Sequence, residues 1–316
     1  MTDYKKQILF QKRKMSHPKW WFKRIFRFAS YIILFDLAFI FLFPYIHMIT
    51  TAVKSPEDLL DISIRWIPSA IYSENFKHAF DNMNFLTTFS NSLFVSSLST
   101  LGHLLSCSFV AYGFARFKFP MKKPLFALLI LSIIIPIQTI IVPIYKVFSD
   151  IGFVGSQWYA GIIVPSFMGF GLRSGLFIFV FYSHFQMLPK STEEAAYIDG
   201  ANAVRTFFKI IVPSSMPAFL VSGVLSYVWH WNDYYEPSLY ITDSSRYLVP
   251  QMLPAIIKMQ ETLLVNANMD VLQLKDRYND AVIAASMLIT LLPLLVAYMF
   301  VQHKFVEGVV TTGMKE

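Results

Sequence analysis

The segment Pro189 to Pro213, PKSTEEAAYIDGANAVRTFFKIIVP, gathers the side chains with the most to offer a partner. Ser191 and Glu194 stand at capping-box spacing, which predicts a helix starting there, with Glu193 and Glu194 in a first turn whose dipole favours carboxylates. Gly200 is placed to end it. A second helix over about Ala201 to Val212 presents Phe207, Phe208, Ile210 and Ile211 before Pro213 turns the chain. The product is an elbow. Its small residues Ala195 and Ala196, beside Tyr197 and Ile198, would let the first arm sit closely in a groove on another protein. An amphipathic connector resting on a bilayer is the other reading these residues allow.

Four residues downstream of the elbow, Ser215, Ser222, Ser226 and Trp229, fall within one helical face. Hydroxyls and an indole suit a sugar, the first by hydrogen bonds and the second by stacking on a pyranose ring. The same small residues suit close helix packing, and Trp229 with Trp231 suits an interfacial anchor. Both readings stay open. Arg173 and Asp36 lie within apolar stretches, where a charge facing lipid is costly, so each needs water, a partner or an interface; a pathway role and interhelical pairing are the alternatives.

Other chemistry is missing its parts. His47, His103, His184 and His230 are scattered without i, i+4 pairing or neighbouring cysteines, so no metal site is expected. Cys107, the single cysteine, permits neither an intrachain disulfide nor a thiolate cluster. No GxxxxGK followed by Ser or Thr occurs, so ATP is not expected to bind this chain. No paired carboxylates or nucleophile–base set marks an embedded enzyme.

The elements that would position these residues follow from composition. Of 316 residues 55% are hydrophobic and 15% charged, a surplus of apolar surface whose natural solvent is a bilayer. Stretches long enough to cross about 30 Å of hydrocarbon as helices recur along the chain. Six are expected, over about Phe28 to Ile49, Ser92 to Ala115, Leu125 to Tyr145, Trp158 to Tyr182, Ser214 to Trp231, and Ala281 to Val301. The fourth is interrupted by Pro165, glycines and Arg173, and the fifth is short.

Basic residues set the expected orientation, because they are retained on the cytoplasmic side. Eighteen of the 27 Lys and Arg lie in Met1 to Arg27, Arg116 to Lys123, His184 to Val212 and the end after Val301; eight lie on the other side, and Arg173 lies in a span. Both termini are therefore expected in the cytoplasm, and the elbow with them. The net charge of +7 is concentrated beside the membrane, which points to anionic lipid in place of nucleic acid. A first apolar run this long, without a small-residue cleavage site, reads as a retained span and not as a signal peptide.

Outside the spans, Thr50 to Asn91 is expected to form short helices along the membrane surface. Asn232 to Asn279, with Pro237, Pro250 and Pro254, is expected to fold against something. Pro44, Pro136, Pro143, Pro165, Pro217 and Pro293 fall in or at the ends of spans and would kink them, although prolines are common in membrane helices generally.

The run EEAAYIDGA followed by FFKIIVPSSMP resembles the EAA motif of ABC importer permeases. SNSLFVSS, AYGFARFKF, WNDYYEP and QHKFVEGVVTTGMK extend the resemblance over nearly the whole chain, toward the maltose-type carbohydrate uptake permeases and their MalG-like subunit. The resemblance implies an all-α, polytopic membrane protein with six transmembrane helices and the ABC importer type I permease fold. It comprises a basic tail 1–27, a permease domain 28–302 with a coupling segment 190–213 and an outside loop 232–279, and a tail 303–316.

Position by position, Glu194, Ala195, Ala196, Asp199 and Gly200 match the motif and Glu193 adjoins it; the resemblance makes these the coupling helix that docks into a separate ATPase. It further implies a heteromeric complex in a bacterial cell membrane, with a homologous second permease, two ATPase subunits that hold the ATP and magnesium, and an extracytoplasmic solute-binding protein. An oligosaccharide is the implied cargo. The longer basic tail and the stretch Met259 to Arg277 depart from the family pattern, which leaves a non-sugar solute open; an ion-coupled secondary transporter, with Asp36 as its carboxylate, is the rival of another class.

Overall fold

In the computed structural model, residues 18–171, 173–265 and 276–313 are described. The expected tail up to residue 17, residues 266–275 of the outside loop, and residues 314–316 lie outside them. Among the described residues every regular element is helical. Three helices are long and apolar enough to cross a membrane alone. They belong to α1 (Pro18–Ala52), α4 (Phe85–Arg116) and α15 (Asp280–Gly313).

The other expected spans are broken. The third is α5 (Lys122–Ile134) and α6 (Ile137–Asp150), bent by 106°. Pro136 causes the bend: it lacks an amide hydrogen and biases Ile135 to extended backbone, where φ is −69° and ψ 121°. The fourth is two short pieces, α7 (Ala160–Phe167) and α8 (Ser174–Met187), separated by a turn in which Gly169 and Arg173 have positive φ. The fifth, α12 (Met216–Asn232), meets the helical arm before it at 81°, with Pro217 at its start. Counted this way the membrane crossings number three, or up to five if each bent pair is one span. Six continuous spans are not what these residues form.

Helix α4 is the central pillar, packed against α7, α8 and α12. Its buried side runs Ser92, Ser96, Ser99, Gly102, His103 and Cys107. Small side chains let the neighbours approach closely. A Cβ on Gly102 would lie 2.8 Å from the Phe167 ring and 3.0 Å from the Phe167 nitrogen. Toward the elbow, Phe177, Phe181 and Phe185 of α8 pack with Tyr112, Phe207 and Ile211.

On the other side, α2 (Pro56–Leu60) and α3 (Glu74–Asn82) are the short helices expected after α1. Buried Lys54 donates to the carbonyls of Ile64 (2.8 Å) and Arg65 (2.9 Å), which folds this connection back on itself. Asp58 accepts from the Ser69 hydroxyl and amide, and those hydrogen bonds hold its carboxyl below the usual range. Helix α1 touches the rest chiefly at its end, where Met48 and Ala52 join Ala79, Val282 and Ala285. Most of its length exposes apolar side chains, and Asp36 lies exposed among them.

Candidate coupling site and pathway residues

Helix α9 (Ser191–Ile198) begins where the sequence places it, but not by a capping box: Lys190 occupies the cap and no side chain bonds there. Ser191 is already helical. The turn is stabilised by backbone bonds from the amides of Glu193 and Glu194 to the Lys190 carbonyl. Gly200 ends the helix at φ +80°, the left-handed conformation that carries little penalty only for glycine.

The second arm starts at Asn202, whose side chain caps α10 (Ala203–Thr206) by accepting from the Arg205 amide at 2.8 Å. A π-helical turn, Phe207–Ile211, follows, and then α11 (Val212–Ser214). The wide turn buries both Phe207 and Ile211 while leaving Phe208 half exposed. It is the one irregularity in this arm that periodicity could not reveal.

The five motif residues and the adjoining Glu193 divide into two sets. Glu193 and Ala196 face inward. Glu193 Oε1 accepts from Arg116 Nε at 2.6 Å, Oε2 accepts from the Tyr112 hydroxyl at 3.3 Å, and Arg116 also donates to the Leu188 carbonyl. Glu193 thus ties α9 to the end of α4. Glu194, Ala195, Asp199 and Gly200 are exposed, together with Tyr197 and Ile198, and make a mixed acidic and apolar surface on the side facing away from the bundle.

The serine face resolves differently. Ser215, Ser222 and Ser226 are 0, 1 and 1% exposed, buried inside the chain, so they line no open pathway here. They form the close packing surface instead, and a Cβ on Gly223 of the same helix would stand 3.4 Å from Leu104 of α4. The histidines are not all scattered. His103 Nδ1 lies 3.0 Å from Ser226 Oγ and 3.4 Å from His230 Nε2, while His103 Nε2 lies 3.1 Å from Ser174 Oγ. Their sequence separation of more than one hundred residues hid this cluster; only the crossing of α4, α8 and α12 creates it. Among the described residues no group of three or more His, Cys, Asp or Glu is placed to hold a metal ion.

Trp229 is partly exposed, and its ring is already engaged by two neighbours. Arg173 covers one face, its guanidinium carbon 4.3 Å from the ring centroid, and Phe177 packs against the ring at 5.3 Å. Among the described residues Arg173 lies over an aromatic ring and makes no ion pair within 4 Å.

Residues 105–310 match the model of the family described as binding-protein-dependent transport system inner membrane component. A probable starch degradation products transport system permease protein of Thermoanaerobacterium thermosulfurigenes is 26% identical over 280 residues, 89% of this chain and 94% of its own. A melibiose/raffinose/stachyose import permease protein of Bacillus subtilis is 29% identical over 275 residues, 86% of this chain and 91% of its own. The fold matches a solved bacterial ABC transporter involved in the import of the acidic polysaccharide alginate, with a TM-score of 0.74, 20% identity, and coverage of 89% of this chain and 97% of that one. The elbow, the helical bundle and these likenesses agree on an ABC importer permease, a non-catalytic subunit whose ATPase is a separate polypeptide. The chain belongs to the binding-protein-dependent transport system inner membrane component family.

Proposed function

We propose that this permease imports an oligosaccharide and receives the work of ATP hydrolysis through α9. The observation that carries the coupling assignment is the division of its motif: Glu193 is held in the bundle by Arg116, while Glu194, Ala195, Ile198, Asp199 and Gly200 are left free for another surface. A helix anchored on one side and bare on the other transmits a push without bending away from it. The relatives named for starch degradation products and for melibiose, raffinose and stachyose support the sugar.

In this reading the chain forms half of the pathway, beside a homologous second permease. Two ATPase subunits hold ATP and magnesium, and an extracytoplasmic binding protein meets the segment 232–279. The excess of Lys and Arg on the elbow side supports a cytoplasmic elbow and cytoplasmic termini in a bacterial cell membrane. Six crossings result if α7 with α8, and each of the two bent pairs, counts as one broken span. Two global states then exchange: closure of the ATPase dimer moves the elbow, and the loaded binding protein favours the outward-open state.

The test is uptake by the reconstituted complex. Glu194→Ala and Gly200→Val are expected to insert normally, yet to lose ATPase subunits on purification or to lose sugar-stimulated hydrolysis. Wild-type uptake and stimulation in both variants would reject the coupling assignment.

A further inference from the structure

The connection from α1 to α3 forms a strap at the end of the bundle opposite the elbow. Helix α4 meets the elbow at Arg116, and α3 packs on its other end, where the Phe80 and Phe85 rings lie 5.3 Å apart. Lys54 holds the strap by the carbonyls of Ile64 and Arg65, and Trp66 then packs edge-on against Phe43 and His47, with ring centroids at 5.2 and 5.9 Å. Those two rings lie two to three turns before Ala52, the end of α1, so the strap runs back about 7 to 13 Å along the helix. Arg27 is the last Lys or Arg before Lys54. Hydrocarbon about 30 Å thick, entered at Phe28, takes about 20 helical residues and ends near His47. Trp66 thus lies at the edge of the bilayer, where an indole is favoured. Leu60, Ile62, Ile67 and Ile71 of the strap are 80 to 85% exposed, uncovered by the described residues.

Between the strap, the end of α1 and the start of α15 lies a cleft of about 800 Å3, within the range of small-molecule sites. Its charged lining is Lys54, Asp58, Asp61, Arg65 and Asp280. Two of these are matched inside the wall, Lys54 by its two carbonyls and Asp58 by Ser69. The other three are exposed and have capacity left. Among the described residues the Arg65 guanidinium makes no hydrogen bond or ion pair. Asp61 Oδ1 accepts from the Ser63 hydroxyl at 2.7 Å and amide at 2.8 Å, bonds that hold its carboxyl below the usual range. Asp280 Oδ1 accepts from Gln260 of α14 (Val249–Val265) at 3.0 Å. The second oxygen of each aspartate is open.

A cleft at the bilayer edge with one open guanidinium and two open carboxylates fits a ligand that carries both charges. We propose that it seats the headgroup of an aminophospholipid of the phosphatidylethanolamine type, its phosphate on Arg65 and its ammonium toward Asp61 and Asp280. The aliphatic side chains of the strap then lie against the acyl chains. An anionic headgroup adds negative charge where carboxylates are already in excess, and a choline headgroup has no N–H to donate to them. The lipid fills the gap between α1 and α15 at the end where the two helices meet. The site is independent of the cargo and of the coupling helix.

The experiment uses the whole complex, both permeases with the ATPase subunits, in proteoliposomes of equimolar phosphatidylethanolamine, phosphatidylcholine and phosphatidylglycerol. After mild detergent extraction, native mass spectrometry is expected to find phosphatidylethanolamine retained about fivefold over either other lipid. Arg65→Gln and Asp61→Asn, both at exposed positions, are expected to bring that ratio to parity, and Asp280→Asn serves if either does not assemble. Trp66 fluorescence, read as the difference between wild type and Trp66→Phe, is expected to be quenched more by lipid brominated near the glycerol end of its acyl chains than near their methyl ends. A benzophenone attached at Ile62→Cys is expected to label phospholipid. Equal retention of the three lipids, a wild-type ratio in the Arg65 and Asp61 variants, or capture of the second permease or the binding protein by the Ile62 probe would overturn the lipid site and leave the importer reading intact.

Discussion

Arg116 at the end of α4 and Glu193 in the first turn of α9 meet at 2.6 Å, with side chains 7 and 6% exposed. The pair lies 77 residues apart in sequence and joins the central pillar of the bundle to the helix that faces the ATPase in the proposed complex. Tyr112, one turn before Arg116, closes the contact through Glu193 and Tyr197. In the proposed complex a movement of α9 would therefore be passed to α4 and not absorbed by a loose loop.

Breaking this pair from one side leaves a buried charge alone, a loss of about 3–5 kcal/mol. Arg116→Ala and Glu193→Ala are expected to lower the melting temperature of the purified complex and its content of ATPase subunits. The exchanged pair Arg116→Glu with Glu193→Arg is expected to recover part of both. Native-like melting in the single variants would show that the contact carries no load.

Gly200 tests backbone geometry alone, since a Cβ there would meet nothing within 4 Å. Gly200→Ala is expected to cost about 1–2 kcal/mol from its φ of +80°, and Gly200→Asn less, because Asn tolerates the left-handed region. Limited proteolysis of the elbow should follow the order Gly, Asn, Ala, Val in increasing susceptibility.

Two further glycines make opposite predictions. At Gly171 a Cβ would lie 2.6 Å from Ser166 Oγ, 2.7 Å from His103 Nε2 and 2.8 Å from the Ser166 Cα, so Gly171→Ala is expected to reduce the yield of folded protein in detergent. At Gly113, inside α4, it would meet nothing within 4 Å. Gly113→Ala is expected to be neutral or to stabilise by up to about 1 kcal/mol through helix propensity. Size-exclusion profiles of the two variants distinguish them.

Ile198 is 87% exposed at the end of α9. Ile198→Glu is expected to leave the melting temperature of the permease pair unchanged while reducing ATPase capture at least tenfold, as loss of an apolar anchor does at a docking surface. Equal capture by the variant would move the docking site elsewhere.

The elbow could be read from sequence because its determinants are local: small residues, a terminal glycine and a proline stop. The apolar stretches announced the bundle for the same reason. What could not be read depends on crossings. The sequence resemblance groups Glu193 with Glu194 for docking, whereas one turns inward to Arg116 and the other outward. The serines had a periodicity that fits a pathway and a packing surface equally well, and the position of α4 decided for packing. Pro136 and the turn before Arg173 were visible as irregularities, but hydropathy sums across a bend and cannot register an angle of 106°.

Helix α1 draws its packing from the opposite end of the chain, through α15, with which its last turns share Ala52, Val282 and Ala285. During synthesis it enters the bilayer well before the residues that will cover it have been made. Its 35 residues must therefore persist as a solitary span, satisfied by lipid and by their own backbone bonds, until translation has passed residue 285. The helix that inserts early is fastened late, and a truncated chain lacking α15 would leave it held chiefly by α3 and by Trp66, which packs on Phe43 and His47.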